Sequence, residues 1–264
     1  MIHDELILVL DFGSQYTQLI SRRIRELGVY SEIKPFNTPL TDIRQLRPKG
    51  IIISGGPSSV YAKNAPQPDP DLFKLDIPML GICYGLQVIA HQLGGKVDPA
   101  DHREYGRAEL SIDDSSDLFF GLPSQISVWM SHGDHLIDAP AEFKIIAHTL
   151  NAPIASLKHL RKPIFGIQFH PEVIHTPQGQ EILANFAFKI CQCKETWNPS
   201  SFIETTVAEI RKKVGNQKVL CALSGGVDST VAAFLVARAV GKQLTCVFVD
   251  TGLMRSGEVD QVNT

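Results

Sequence analysis

The sequence predicts an α/β fold: an open, mostly parallel sheet with helices between its strands, followed by the start of a second α/β unit. Three observations carry this expectation. Short apolar runs alternate with segments whose apolar residues recur at helical spacing. One run ends in Gly81-Ile82-Cys83-Tyr84-Gly85, directly before a helical segment. A second strand-like run ends in Ser224-Gly225-Gly226-Val227-Asp228-Ser229, again before a helical segment.

Leu6 to Leu10 forms the first expected strand, and Thr17 to Leu27 the first helix, closed by Gly28 as a C-terminal cap. Gly50 to Ser54 reads as a buried strand that runs into Gly55-Gly56-Pro57. The bare N–H groups there can face a ligand, although the segment alone also reads as an ordinary turn. The next strand covers 78–82, and Leu86, Val88, Ile89, Ala90 and Leu93 give the following helix its apolar side. A strand, a sharp turn and a helix with a thiol at the apex match the nucleophile elbow, with sulfur replacing oxygen. The flanking glycines permit angles and approaches that a Cβ would forbid. Positive partial charge at the helix N-terminus favours a thiolate there.

From Lys96 to Val128 the chain is more polar and alternating, so antiparallel edge strands are expected. A further buried strand over 163–169 delivers His170 at its C-terminal end. Pro171 stops that strand, and Glu172 lies where a turn brings its carboxylate against the imidazole. A cysteine nucleophile needs a base, and the base needs an orienting group. Catalytic groups of open α/β sheets gather beyond the carboxyl ends of strands, so Cys83 and His170 can meet. The histidines His3, His91, His148 and His159 combine no strand end with an adjacent carboxylate. The N–H groups of Gly56 and Tyr84 are the natural pair for a developing oxyanion.

A helix at about 177–190 closes the first domain, residues 1–196. Lys194 to Ser201 is polar, broken by Pro199, and reads as the linker to the second domain, residues 197–264. A basic amphipathic helix carrying Phe202, Val207 and Ile210 follows. The strand from Lys218 then enters the glycine turn, and a helix begins near Ser229 with Val231, Phe234, Leu235 and Ala239 on its apolar side. Gln243 to Val249 is a parallel strand, followed by a loop from Asp250. Hydroxyls and backbone N–H groups at a helix N-terminus suit phosphate. The loop is not a Walker A sequence, because the Gly-Lys-Ser/Thr ending is missing.

Composition limits the function classes. The chain has 264 residues, 44% hydrophobic and 20% charged, with a net charge of −3. That balance argues against a nucleic-acid surface, and the short runs Arg22-Arg23 and Arg211-Lys212-Lys213 read as solvated helix faces. No apolar run is long enough for a transmembrane helix, and the N-terminus has no secretory pattern. Five cysteines at irregular spacing suit a reducing cytoplasm. Cys191-Gln192-Cys193 supplies two sulfurs where a structural zinc takes four ligands, so no protein-only metal site is expected.

Cys83 and its turn, with Gly50 to Pro57, Asp11 to Tyr16, Trp129 to Asp134 and Phe169 to Val173, resemble the class I (triad) glutamine amidotransferases over roughly residues 5 to 195. The resemblance implies that Cys83 is the nucleophile, His170 the general base and acid, and Glu172 the group that orients it. It further implies that glutamine lies against Gly56, Gln87 and a loop of Ser131, His132, Gly133 and Asp134, with His132 shaping the loop. The run Ser224 to Thr230 resembles the pyrophosphate loop of the ATP pyrophosphatases, which split ATP between its α and β phosphates. Implied ATP contacts are Ser224, Gly225, Gly226, Val227, Asp228, Ser229 and Thr230, with Val249 and Asp250 at the strand end that receives adenine.

Glutaminase first and pyrophosphate loop second resembles the two-domain amidotransferases that aminate ATP-activated XMP to GMP, releasing AMP and diphosphate. The implied partners are glutamine, ATP with Mg2+ and XMP, with a homodimer formed through residues absent here and no organic prosthetic group. The resemblance also implies a fragment: only the glutaminase half is expected to be complete, and the XMP contacts are expected elsewhere. Two alternatives stay open, a glutaminase subunit of another amidotransferase and a regulatory glutamine-binding module.

Overall fold

The computed structural model describes residues 4–249, the side chains of residues 99–104 excepted. The chain divides into two compact units, Met1–Thr196 and Trp197–Thr264, each taken by itself below. In the first, the elements run β1 (Leu6–Asp11), α1 (Thr17–Glu26), β2 (Tyr30–Pro35), α2 (Leu40–Leu46), β3 (Gly50–Ile53), β4 (Met79–Ile82) and α3 (Tyr84–Gln92). They continue with β5 (Lys96–Ile112), β6 (Gln125–Asp138), β7 (Phe143–His148), β8 (Ser156–His159), β9 (Ile164–Ile167) and α4 (Gly179–Ala184). The second unit holds α5 (Pro199–Val214), β10 (Val219–Leu223), α6 (Val227–Val240) and β11 (Leu244–Phe248).

Nine strands form one sheet in the order β2-β1-β3-β4-β9-β8-β7-β5-β6. The strands from β2 through β9 in that order are mutually parallel, and the rest pair antiparallel. This is the expected α/β class with its mostly parallel sheet and an antiparallel extension over Lys96 to Val128. Side-chain alternation divides the core. Ile7 and Val9 of β1 pack with Ile20 and Ile24 of α1 on one face. Leu8 and Leu10 pack with Ile43 of α2 and with Leu86 and Ile89 of α3 on the other. The inner strands therefore read as unbroken apolar runs, because both of their faces are covered.

Several elements depart from the sequence expectation. The helix expected at 177–190 begins at Gly179, and its second half, Asn185–Ile190, is wound as a π-helix. The supposed linker already contains helix: Asn198 Oδ1 accepts the Ser201 N–H at 2.8 Å, and Pro199 stands at the first helical position. Proline fits there because its missing N–H has no intrahelical partner in any case, so it starts the helix instead of breaking the chain. Strand β2 gave no apolar run because it is the outermost strand, with only part of its surface buried. Strands β7 (FKIIAH) and β8 (SLKH) carry polar residues among their apolar ones and so gave no unbroken run.

The turn after β4 is held by close packing. A Cβ on Gly85 would fall inside the carbonyl of Ile53, so α3 rests directly on β3. Gly85→Ala must therefore push the helix off the sheet. We expect a loss of about 1–3 kcal/mol, the usual cost of overpacking. Thermal denaturation checks this, and an unchanged midpoint would contradict the close contact.

Candidate functional site

The first unit gathers its chemistry where β1, β3, β4 and β9 end side by side. The Cys83 N–H donates to the Ile167 carbonyl at 2.8 Å, extending the β4–β9 pairing by one residue. The chain then reverses: Cys83 has φ 52 and ψ −106 and caps the N-terminus of α3. A left-handed backbone at a residue with a Cβ costs on the order of 1–3 kcal/mol and persists only where its surroundings impose it. The expected sharp turn with the thiol at its apex is thus present.

Beyond β9 the chain fixes His170 from both sides. The His170 N–H donates to the Trp129 carbonyl at 3.0 Å, and the Thr176 hydroxyl donates to the His170 carbonyl at 2.7 Å. The same hydroxyl accepts the Trp129 N–H at 3.0 Å, so Thr176 locks this loop to β6. His170 Nδ1 lies 2.7 Å from Glu172 Oε1, which turns Nε2 away from the carboxylate. Tyr16 meets the ring edge-on at 5.2 Å between centroids. Glu172 is fully buried, and Arg23 of α1 donates to its backbone carbonyl at 3.0 Å.

Burial opposes a charged imidazole at position 170. The Glu172 carboxylate, the hydrogen bond with Cys83 and the hydrogen bond with Glu172 outweigh it, and hold the His170 pKa well above its ordinary value. An imidazolium beside a thiol favours the thiolate, the form of cysteine that attacks carbonyl carbon. Two other thiols are disabled by burial, which pushes Cys191 well up and Cys193 to about 11.

Cys83, His170, Gly56, Tyr84 and Gln87 line one cavity of about 670 Å³ with Ser131, His132, Gly133 and Asp134. The Tyr84 hydroxyl donates to the Pro66 carbonyl at 2.8 Å. Its ring lies where a Cβ on Gly56 would meet it at 3.3 Å, so a side chain at 56 would crowd the turn. Gln87 Nε2 donates to the Asp134 carbonyl at 2.9 Å and ties α3 to β6. The expected loop at 131–134 is instead part of β6. Serine and glycine there suggested a turn, but Ile126, Val128, Met130 and His132 keep strand alternation and are all buried. Among the described residues, no cluster of three His, Cys, Asp or Glu could hold a metal ion, and no helix is long and apolar enough to cross a membrane.

Sequence reasoning missed Gln168, which is fully buried with Nε2 at 3.7 Å from the Cys83 sulfur. The signal available was one polar residue inside the run 163–169.

In the second unit β10 and β11 pair in parallel. Gly225 has φ 79, and Gly226 caps α6. Ser224 and Ser229 hydroxyls lie 3.0 Å apart, the Ser229 and Thr230 hydroxyls donate to the Gly226 carbonyl at 3.0 and 2.9 Å, and the Gly226 N–H donates to Ser224 Oγ at 3.3 Å. Asp228 occupies the first turn of α6. Helix α6 starts at Val227, slightly before the expected Ser229. Val249 follows β11 and is exposed, whereas Asp250 lies outside the described residues.

Residues 8–190 match the family model of glutamine amidotransferase class-I, and residues 200–254 match that of NAD synthase. A GMP synthase (glutamine-hydrolyzing) from Caldicellulosiruptor saccharolyticus is 57% identical over 98% of the chain, and one from Clostridium perfringens is 54% identical over 98%. The chain spans about half the length of these relatives, 50% and 51%. The solved structure of a candidate GMP synthase component from Thermoplasma acidophilum matches with TM-score 0.62 and 33% identity. That match covers 77% of this chain and 98% of the other. A glutamine amidotransferase from Thermotoga maritima shares the fold, with TM-score 0.58 and 17% identity over 72% of this chain and 99% of its own.

The arrangement predicts how His170 titrates. Glu172→Gln removes the negative charge that outweighs burial, so the imidazole should lose its proton at lower pH than in the parent chain. NMR titration of the His170 ring reads this directly, and an unmoved midpoint would show that Glu172 does not set the charge.

Proposed function

Because the chain belongs to the class-I glutamine amidotransferase family, we propose that its first unit hydrolyses glutamine with Cys83 as nucleophile. The observation that carries this is that Cys83 and His170 share the wall of one cavity, with His170 Nδ1 held 2.7 Å from a buried carboxylate. The thiolate attacks the side-chain amide carbon. His170 passes its proton to the departing nitrogen, ammonia leaves, and a glutamyl thioester remains. His170, now neutral, takes a proton from water, which hydrolyses the thioester to glutamate. Glu172 orients the ring and favours its charged form. The N–H groups of Gly56 and Tyr84 receive the oxyanion. Gly56, Gln87, Ser131, His132, Gly133 and Asp134 surround the substrate.

The longer protein to which this reading points makes GMP. Ammonia is passed to XMP that ATP has activated as the adenylate, with release of AMP and diphosphate. The order of the two modules and the likeness to GMP synthases over both of them support this over the NAD synthase reading, whose model matches residues 200–254 alone. In the second domain, residues 197–264, the Ser224 to Thr230 loop takes the ATP phosphates and Val249 and Asp250 lie at the adenine end. Mg2+ accompanies ATP as part of that substrate. A homodimer in the cytoplasm completes the proposal, in keeping with five free thiols.

Cys83→Ala should abolish glutamate release from glutamine. Amination by externally supplied ammonia, in a protein of the relatives' full length, should survive. Substantial glutaminase activity in the variant would remove Cys83 from its role.

Across the domain boundary, Ser224→Ala and Asp228→Ala should weaken ATP use and leave glutamine hydrolysis by the first unit unchanged. Diphosphate release at the parent rate by a full-length variant would make the loop structural.

A further inference from the structure

We infer that Gln168 is a positioning residue for the Cys83 sulfur, holding it as the thiolate through an N–H donor that reaches it from the protein side. The inference rests on the reading of Cys83 as nucleophile. Gln168 directly follows β9, and its backbone N–H is fixed to the Ala155 carbonyl at 2.8 Å. Its side chain is 0% exposed, so it does not approach the sulfur as a ligand in the cavity would. Nε2 stands 3.7 Å from Sγ, and Oε1 has no hydrogen-bond partner among the described residues. A dry, unpartnered amide oxygen is a cost that a methionine of the same length would not carry. The donor half of the amide is the part that has a partner, and that partner is the sulfur.

The neighbours of Sγ discriminate between its two forms. On one side the thiol donates to the Ser131 carbonyl at 3.7 Å, a contact only the protonated sulfur can make. On the other side stand two donors, the Gln168 amide and the His170 imidazolium, which favour the anion. A donor to a charged acceptor is roughly twice as strong as one between neutral groups. Gln168 therefore biases the sulfur away from Ser131 and towards the state that attacks. Titratable groups sharing the cavity are Tyr16, Tyr84, Tyr105, His132, Asp134 and His170, with Glu172 behind His170. Substitution at 168 leaves all of them in place.

The test is alkylation by iodoacetamide of the 264-residue chain, with the Cys83 peptide quantified by mass spectrometry across pH. In Gln168→Met, Cys83 should react about tenfold more slowly at neutral pH. The deficit should close at alkaline pH, where the thiolate forms without help. Gln168→Leu removes the donor without adding a charge. It should show the same deficit, and it decides the matter if the methionine variant does not fold. Reaction as fast as in the parent at neutral pH, or an equal deficit at every pH, would overturn the inference. Glutamine hydrolysis by Cys83→Ala would sink the underlying reading instead, and leaves the alkylation result for Gln168 standing.

Discussion

The site depends on one backbone pairing. Strands β4 and β9 run parallel with Ile82 opposite Ile167, and the Cys83 N–H closes on the Ile167 carbonyl at 2.8 Å. That bond brings the end of one strand beside Gln168 and within reach of His170. A shift of one residue would turn every side chain of β9 to the opposite face. It would also carry His170 away from the thiol. The register is protected because both strands are buried on both faces, so a slip would disorder two halves of the core at once. Apolar packing remote from this corner thereby fixes Cys83 and His170 beside each other.

Within that frame the charged groups impose a cost that the surroundings must offset. A buried carboxylate and a buried imidazolium lose hydration that their mutual attraction repays only with good geometry and further hydrogen bonds. The contact of 2.7 Å between Nδ1 and Oε1 supplies the geometry. Trp129, Thr176 and Arg23 hold the backbone at residues 170 and 172, so little ordering remains to be done when the pair charges. Tyr16 packs against the imidazole, with 5.2 Å between ring centroids. Positions far apart in sequence thus act on a single proton.

Legibility in the sequence followed backbone punctuation. Cys83 between two glycines, His170 before a proline and Ser224 to Ser229 after a strand all sit where the chain must change direction, and such places restrict residue type. Most of the inner strands were legible because burial on both faces leaves an unbroken apolar run. Gln168 was not, because it sits inside such a run and its meaning comes from a sulfur just past the end of another strand. The segment 131–134 was misread for the opposite reason: its composition suggests a turn, while its alternation continues β6. Strand β2 was lost because an edge position needs only part of its surface to be apolar.

Both units use a strand end, a glycine turn and a helix N-terminus, yet they place the unusual backbone angle differently. In the first, the positive φ falls on Cys83 itself, so the reactive side chain is lifted at the apex by a strain its neighbours enforce. In the second, Gly225 takes φ 79 at no steric cost, and the flanking Ser224 and Ser229 bond each other across the turn. A strained residue presents one atom in one direction, which suits attack on a single carbon. In the unstrained glycine turn the Ser224 and Ser229 hydroxyls bond each other and the Ser229 and Thr230 hydroxyls bond the Gly226 carbonyl, so they brace the loop. The position of the left-handed residue thus distinguishes two turns built on the same supersecondary unit.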